Sequence, residues 1–130
     1  MRSLKGTTAF LKSGNRILAA VRGTRRSGRY VGAMPITVLL ELRFKPEAVP
    51  AARDLMRRTL QVTRAFDGNL RTDVLTDQDD ETHWIIYELW ETVEHDEAYR
   101  QFRAGEGRVT ELPPLLAAPP VKTRYATSDI

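Results

Sequence analysis

The chain has 130 residues, the length of a single domain, with 42% hydrophobic residues, 28% charged residues and a formal net charge of +3. It contains no cysteine, which excludes disulfide scaffolds, thiolate metal sites, iron–sulfur clusters and cysteine nucleophiles, and two histidines cannot build a three-histidine zinc site. No apolar run approaches the roughly 18 residues of a membrane-spanning helix. What remains is a soluble, cytoplasmic domain whose chemistry must come from Trp, Tyr, His, Asn, Arg or carboxylates.

The net charge hides an asymmetry. Residues 1–33 hold eight basic residues and no acid, whereas residues 34–130 hold 12 basic residues and all 17 acids. The body is therefore mildly acidic, which disfavours a nucleic-acid-binding body. Three readings of the basic leader stand side by side. It is a disordered arm that touches nucleic acid or anionic lipid, an organelle transit peptide, or an extension without a role that precedes a true start at Met34. A secretory signal is disfavoured, because no apolar h-region is present. The expected organisation is a basic, disordered extension over 1–33 and one folded domain over 34–130.

From Ile36 the pattern becomes periodic. Ile36, Val38, Leu40, Leu42 and Phe44 alternate with Thr37, Leu39, Glu41 and Arg43, which predicts a strand with one apolar face and one mixed face. Pro46 ends it, and Pro46 and Pro50 bracket a helix start, where a missing N–H costs little. Ala52, Leu55, Met56, Thr59, Val62, Thr63 and Phe66 then recur at helical spacing, with Arg53, Arg57, Arg58, Gln61 and Arg64 opposite. Asp67-Gly68 stops this helix.

A second strand is expected from Asn69 to Leu75, a hairpin turn at the acidic cluster Asp77, Asp79, Asp80 and Glu81, and a third strand from Thr82 to Glu91. Thr92 is a suitable N-cap for a helix from Val93 to Ala104, which Gly105 and Gly107 end. A short helical segment carries Val109, Leu112, Leu115 and Leu116, and a last strand spans Val121 to Tyr125. The acidic cluster lacks the glycine and ligand spacing of a calcium loop, and no phosphate loop, nucleophile elbow or dinucleotide fingerprint is present. The order βαββαβ predicts an α+β, ferredoxin-like antiparallel sheet with both helices on one face. Strand three is apolar on both parities, Trp84, Ile86 and Trp90 against Ile85, Tyr87 and Leu89. The face without helices therefore calls for a partner, and an isologous homodimer is expected.

The strand Thr37–Phe44 running into Lys45-Pro46-Glu47, the stop Phe66-Asp67-Gly68, and Tyr87-Glu88-Leu89-Trp90-Glu91-Thr92 followed by Glu97-Ala98-Tyr99 resemble the antibiotic biosynthesis monooxygenase family over residues 35–126. The resemblance implies a dimeric α+β barrel. It also implies one of several chemistries: oxidation of polycyclic phenols, anthrones or quinols by O₂ without metal or flavin, heme degradation in a related branch, or isomerase, decarboxylase and dechlorinase reactions in other relatives. Heme degradation would need an asparagine on the first strand and a histidine near position 100. The chain has no asparagine there and Arg100 at that position, both of which argue against it.

Cofactor-free oxidation requires a base and hydrogen-bond donors around a developing oxyanion. The resemblance makes Trp90 the first candidate, as a cavity-lining ring with a fixed N–H donor, against the plainer reading of a core tryptophan. Asn69, His95 and Arg43 are the further catalytic candidates, with His95 placed at a helix start where a neutral imidazole is favoured. Leu40, Leu42, Tyr99 and Phe102 join Trp90 as expected substrate-binding residues. His83 and Tyr125 are weaker donors, His83 being read as structural, and Tyr87 is assigned to the interface. The expected function is a cofactor-independent monooxygenase oxidising an aromatic phenol, anthrone or quinol, with O₂ and the small aromatic substrate as partners and no cofactor or metal. The alternatives are a non-catalytic binder of a small hydrophobic ligand or heme, and a structural or regulatory dimer with a nucleic-acid-touching arm.

Overall fold

The computed structural model describes residues 34–130. The basic extension and its three readings lie outside the described residues.

The described chain runs β1 (Ile36–Arg43), a 3₁₀ turn (Pro46–Ala48), α1 (Val49–Ala65), β2 (Asn69–Asp77), β3 (Asp80–Trp90), α2 (Val93–Ala104), a second 3₁₀ turn (Pro113–Leu115) and β4 (Val121–Ala126). The strands form one antiparallel sheet in the order β2-β3-β1-β4, the ferredoxin-like arrangement that the pattern predicts. β1 and β3 pair in the centre, with Ile36 opposite Trp90 and Arg43 opposite His83.

Alternation decides which side chains are buried. Val38 and Leu42 of β1, Phe44 just beyond its end, and Trp84, Ile86, Glu88 and Trp90 of β3 face the helices. One core cluster joins Leu42, Phe44, Trp84 and Ile86 to Ala52, Leu55, Met56 and Leu60 of α1. A second joins Val38, Trp90 and Tyr99, with Phe66 and Phe102 packed against it. Helix α1 turns slightly differently from its expected apolar stripe. Leu60 is buried and Val62 is 44% exposed, because the helix is amphipathic about a line through Ala52, Met56, Leu60 and Thr63.

Two turns depend on local chemistry. Gly68 has φ +87°, and a Cβ there would overlap the His95 ring, so only glycine fits. Thr92 caps α2 by accepting the His95 N–H at 3.1 Å, while its hydroxyl also meets His95 Nδ1 at 2.7 Å. The hairpin turn is tighter than the acidic cluster suggests, with Asp77 and Asp80 already paired in the ladder and only Gln78 and Asp79 between them. The segment expected to be helical over Val109–Leu116 forms one 3₁₀ turn, because Pro113-Pro114 removes the N–H groups a longer helix needs. This segment is tied to the end of β1 by Lys45 N–H to Leu115 O at 3.0 Å and Ala117 N–H to Arg43 O at 2.8 Å.

The outer sheet face stays open. Leu75, Val121 and Tyr125 are exposed there, and Leu39, Ile85, Tyr87 and Leu89 are only half-buried. No helix among the described residues is long and apolar enough to cross a membrane.

Candidate functional site

A cavity of about 590 Å³ lies on the helix side of the sheet. Its floor is Leu40 and Leu42 from β1 with Ile86 and Glu88 from β3. Met56, Thr59 and Leu60 of α1 form one wall, and Tyr99, Arg100 and Arg103 of α2 form another. The segment from Arg108 to Pro120 borders it with Val109, Leu112 and Leu116, held by the two backbone bonds to the end of β1. A mostly apolar space of this size with a few convergent polar groups is the usual form of a small-molecule site.

Glu88 is the unusual group. It is 2% exposed, on the same buried parity as Trp84, Ile86 and Trp90, where the strand pattern calls for an apolar residue. An isolated carboxylate could not remain ionised there. Two donors hold its Oε1: the Trp90 indole N–H at 2.9 Å and the Arg100 guanidinium. Arg100 also donates from Nε to Asp96 at 2.9 Å, so one guanidinium bridges two buried carboxylates. Burial alone would raise the Asp96 carboxyl. Its hydrogen bonds from Lys122 and Arg100, and then Arg124, outweigh that and hold it below the usual carboxylate range. Asp96 thereby also pins β4 to α2, through Lys122 at 3.0 Å and Arg124 at 3.1 Å.

A second polar group on the α2 wall is built around Tyr99. Its hydroxyl meets the Thr63 hydroxyl at 2.6 Å and accepts from Arg103 Nε at 2.7 Å.

Of the residues expected from the sequence, Leu40, Leu42 and Tyr99 line the cavity. Trp90 does not. It is fully buried behind Glu88, packed at 5.0 Å from the Tyr99 ring and edge-on to Phe66, and it reaches the cavity only through its bond to Glu88. Phe102 is also outside, against Phe66 and over Gly107, where a Cβ would overlap its ring. Asn69 sits opposite Trp90 on the edge strand β2, where it accepts the Thr72 hydroxyl at 3.1 Å and leaves its own buried Nδ2 unpartnered. His95 belongs to the α2 cap, its Nε2 turned to Asp67 at 3.6 Å and Glu91 at 3.9 Å. Arg43 has the opposite parity and lies exposed on the outer face beside Glu41. The cavity does not bring together Asn69, His95, Arg43 and Trp90.

His83, expected to be structural, lies on the sheet face away from the cavity. Its ring bridges Asp77 at 3.0 Å and Glu41 at 2.7 Å on the outer face, and those two hydrogen bonds raise its pKa above the ordinary histidine value. Neither histidine reaches the cavity, so its walls offer no imidazole to a heme iron. Among the described residues no group of three or more His, Asp or Glu side chains is placed to hold a metal ion.

The residues that sequence reasoning passed over are Glu88, Arg100 and Arg103. The signal for Glu88 was present as a charge on the buried parity of a strand. Arg100 and Arg103 follow Asp96 and Tyr99 at helical i+4 spacing, which reads as a solvated face unless the sheet beneath is known.

The sequence matches the model of a family described as antibiotic biosynthesis monooxygenase over residues 35–106. The structure resembles a putative antibiotic biosynthesis monooxygenase from Nitrosomonas europaea, with TM-score 0.64 at 20% identity over 71% of this chain and 97% of that one. A conserved protein from Methanosarcina mazei superposes with TM-score 0.67 at 16% identity, covering 73% of this chain and 94% of that one. SnoaB, a cofactor-independent oxygenase from Streptomyces nogalater, superposes in a mutant form with TM-score 0.64 at 12% identity, covering 74% and 95%. Likeness at these identities establishes the fold. No curated protein matches the sequence.

Proposed function

The chain belongs to the antibiotic biosynthesis monooxygenase family, and on that footing we propose that it is a cofactor-independent oxygenase that oxidises an aromatic phenol, anthrone or quinol with O₂. The observation that carries this is Glu88, a buried, ion-paired carboxylate on the floor of an otherwise apolar cavity. An apolar cavity takes up a flat aromatic molecule, and a carboxylate held by two donors is a fixed proton acceptor.

With an anthrone as substrate, Glu88 accepts a proton from the ring CH₂, and the resulting anion places its charge on the ring oxygen. Arg100 has N–H groups beyond those given to Glu88 and Asp96, and they stabilise that oxyanion. The electron-rich anion passes one electron to O₂, and the radical and superoxide combine into a peroxide at the same carbon. Glu88 returns its proton to give the hydroperoxide. Loss of the second C–H proton then breaks the O–O bond, leaving a carbonyl that holds one oxygen atom, and the departing hydroxide takes up that second proton and leaves as water. Trp90 acts here as a positioning residue, since its indole fixes the direction of the Glu88 carboxylate.

The open outer face is assigned to a second copy of the chain, whose matching face would cover Leu75, Tyr87, Leu89, Val121 and Tyr125.

Oxygen uptake by the metal-stripped protein with a panel of anthrones and hydroquinones tests the function. Uptake that requires the protein and falls about 10²- to 10⁴-fold in Glu88→Gln is expected of a lost general base. Binding of the panel without uptake would instead make the protein a carrier of hydrophobic ligands.

A further inference from the structure

Arg103 lines the cavity, and among the described residues every partner it has is neutral. Its Nε donates to the Tyr99 hydroxyl at 2.7 Å and its Nη1 to the Gly107 carbonyl at 3.0 Å. Its Nη2 donates to the Thr59 carbonyl at 2.9 Å and the Thr63 hydroxyl at 3.2 Å. A guanidinium has five N–H donors. Four are placed and the ion is held in one orientation, but among the described residues no carboxylate pairs with it and one Nη1 N–H is unused. The neighbouring cations are different. Arg100 pairs with Glu88 and Asp96, and Lys122 and Arg124 pair with Asp96.

The segment beyond α2 brings a second arginine without an acidic partner to the same cavity. Arg108 is exposed and, among the described residues, donates only to the Ala104 carbonyl at 3.3 Å. The one acid among the lining residues, Glu88, is already taken by Arg100. A half-buried cation fixed in place without a counter-ion is a preformed anion receptor, because the ordering of its side chain precedes binding.

We propose that Arg103 and Arg108 form an anion-binding subsite of the cavity and that the aromatic ligand carries a carboxylate that docks there. A singly charged planar group suits the one remaining Arg103 N–H with Arg108 on the rim of the same cavity, whereas a phosphate dianion would call for more donors. The Glu88 carboxylate repels the same group. Attraction at the arginines and repulsion at Glu88 therefore set the direction in which the ligand lies, leaving its uncharged ring edge to Glu88. This names the substrate class of the proposed oxygenase and rests on that reading only for the ligand's being a substrate.

The test is calorimetric binding of anthraquinone-2-carboxylate and anthraquinone-2-carboxamide to the full chain. Both are already oxidised at the reacting carbons, so binding is measured apart from turnover. The expected result is carboxylate binding at least about tenfold tighter than carboxamide, a preference that weakens with salt. Arg103→Gln should remove most of that preference while leaving carboxamide affinity within about twofold, and Arg103→Lys should retain part of it. Equal affinities in the wild type, an undiminished preference in Arg103→Gln, or binding of neither compound would overturn the subsite. Should Arg103→Gln fail to fold, the wild-type ratio, its salt dependence and Arg103→Lys decide the question. A carboxylate preference that depends on Arg103, in a protein that oxidises no anthrone, would sink the oxygenase and leave the subsite standing. Oxidation of anthrones by a protein without the preference would do the reverse.

Discussion

The Trp90 indole donates its N–H to Glu88 Oε1 at 2.9 Å, from two residues further along the same face of the same strand. The pair joins a core ring to a cavity carboxylate, so it separates packing from chemistry. Trp90→Phe keeps an aromatic ring beside Tyr99 and Phe66, removes the donor and gives up only part of the indole's packing. The expected cost is about 1.5–3 kcal/mol in denaturant unfolding, the range for a hydrogen bond to a charged group. Turnover should fall with it, and in a chain that already carries Glu88→Gln the further change Trp90→Phe should leave turnover where it was. Trp90→Ala would cost roughly 3–5 kcal/mol through the lost ring and says little about chemistry.

Asp96 is fully buried and receives Arg100, Lys122 and Arg124 from two elements. Asp96→Asn should destabilise by about 3 kcal/mol, at the low end for a broken buried pair because its partners are partly exposed. Hydrogen exchange along β4 should rise more than along β1. Because the native Asp96 pKa lies below its ordinary value, its contribution is complete above about pH 4 and is lost as the pH falls through the native value. An acid titration followed by circular dichroism should show the variant losing less stability than the wild type as the pH falls below about 4.

His83 behaves in the opposite sense. Hydrogen bonds to Asp77 and then Glu41 raise its pKa, so the protonated ring stabilises the fold fully below about pH 6.5, and this is lost as the pH rises through the native value. Melting curves should therefore show the wild type losing its advantage over His83→Gln as the pH rises above about 6.5. A pH-independent difference between the two proteins would remove the protonated bridge from the account.

Gly68 and His95 compete for one volume. Gly68→Ala places a left-handed alanine against the imidazole ring, and a cost of about 1–2 kcal/mol for the backbone alone is expected, with more from the overlap. His95→Ala in the same chain should recover the overlap part, which a double-mutant cycle in urea would measure as coupling between the two positions.

The fold was legible because each element carries its own period. β1 alternates from Ile36 to Phe44, α1 starts at its prolines and stops at Gly68, and Thr92 caps α2 at the expected residue. The site was legible only in part. Leu40, Leu42 and Tyr99, placed by parity and helical stripe, line the cavity. Trp90 was placed on the correct face, but which buried residues border empty space depends on how α1, α2 and the Arg108–Pro120 segment meet, and no local pattern encodes that meeting. Arg43 has the wrong parity for the cavity, and His95 is occupied by the helix cap. Glu88 was overlooked although a carboxylate on a buried strand face is itself a signal, because the tryptophan two residues later is the more conspicuous member of the motif.

The most direct measurement is the fate of the oxygen atoms when anthrone is turned over under ¹⁸O₂ by metal-stripped protein. Mass spectrometry of the quinone from wild type, Glu88→Gln and a protein-free control gives the answer. A cofactor-independent oxygenase working through Glu88 predicts protein-dependent product with one ¹⁸O in the new carbonyl, formed at least about a hundredfold more slowly in Glu88→Gln. Product formed at the protein-free rate, or at an equal rate by the variant, would contradict it.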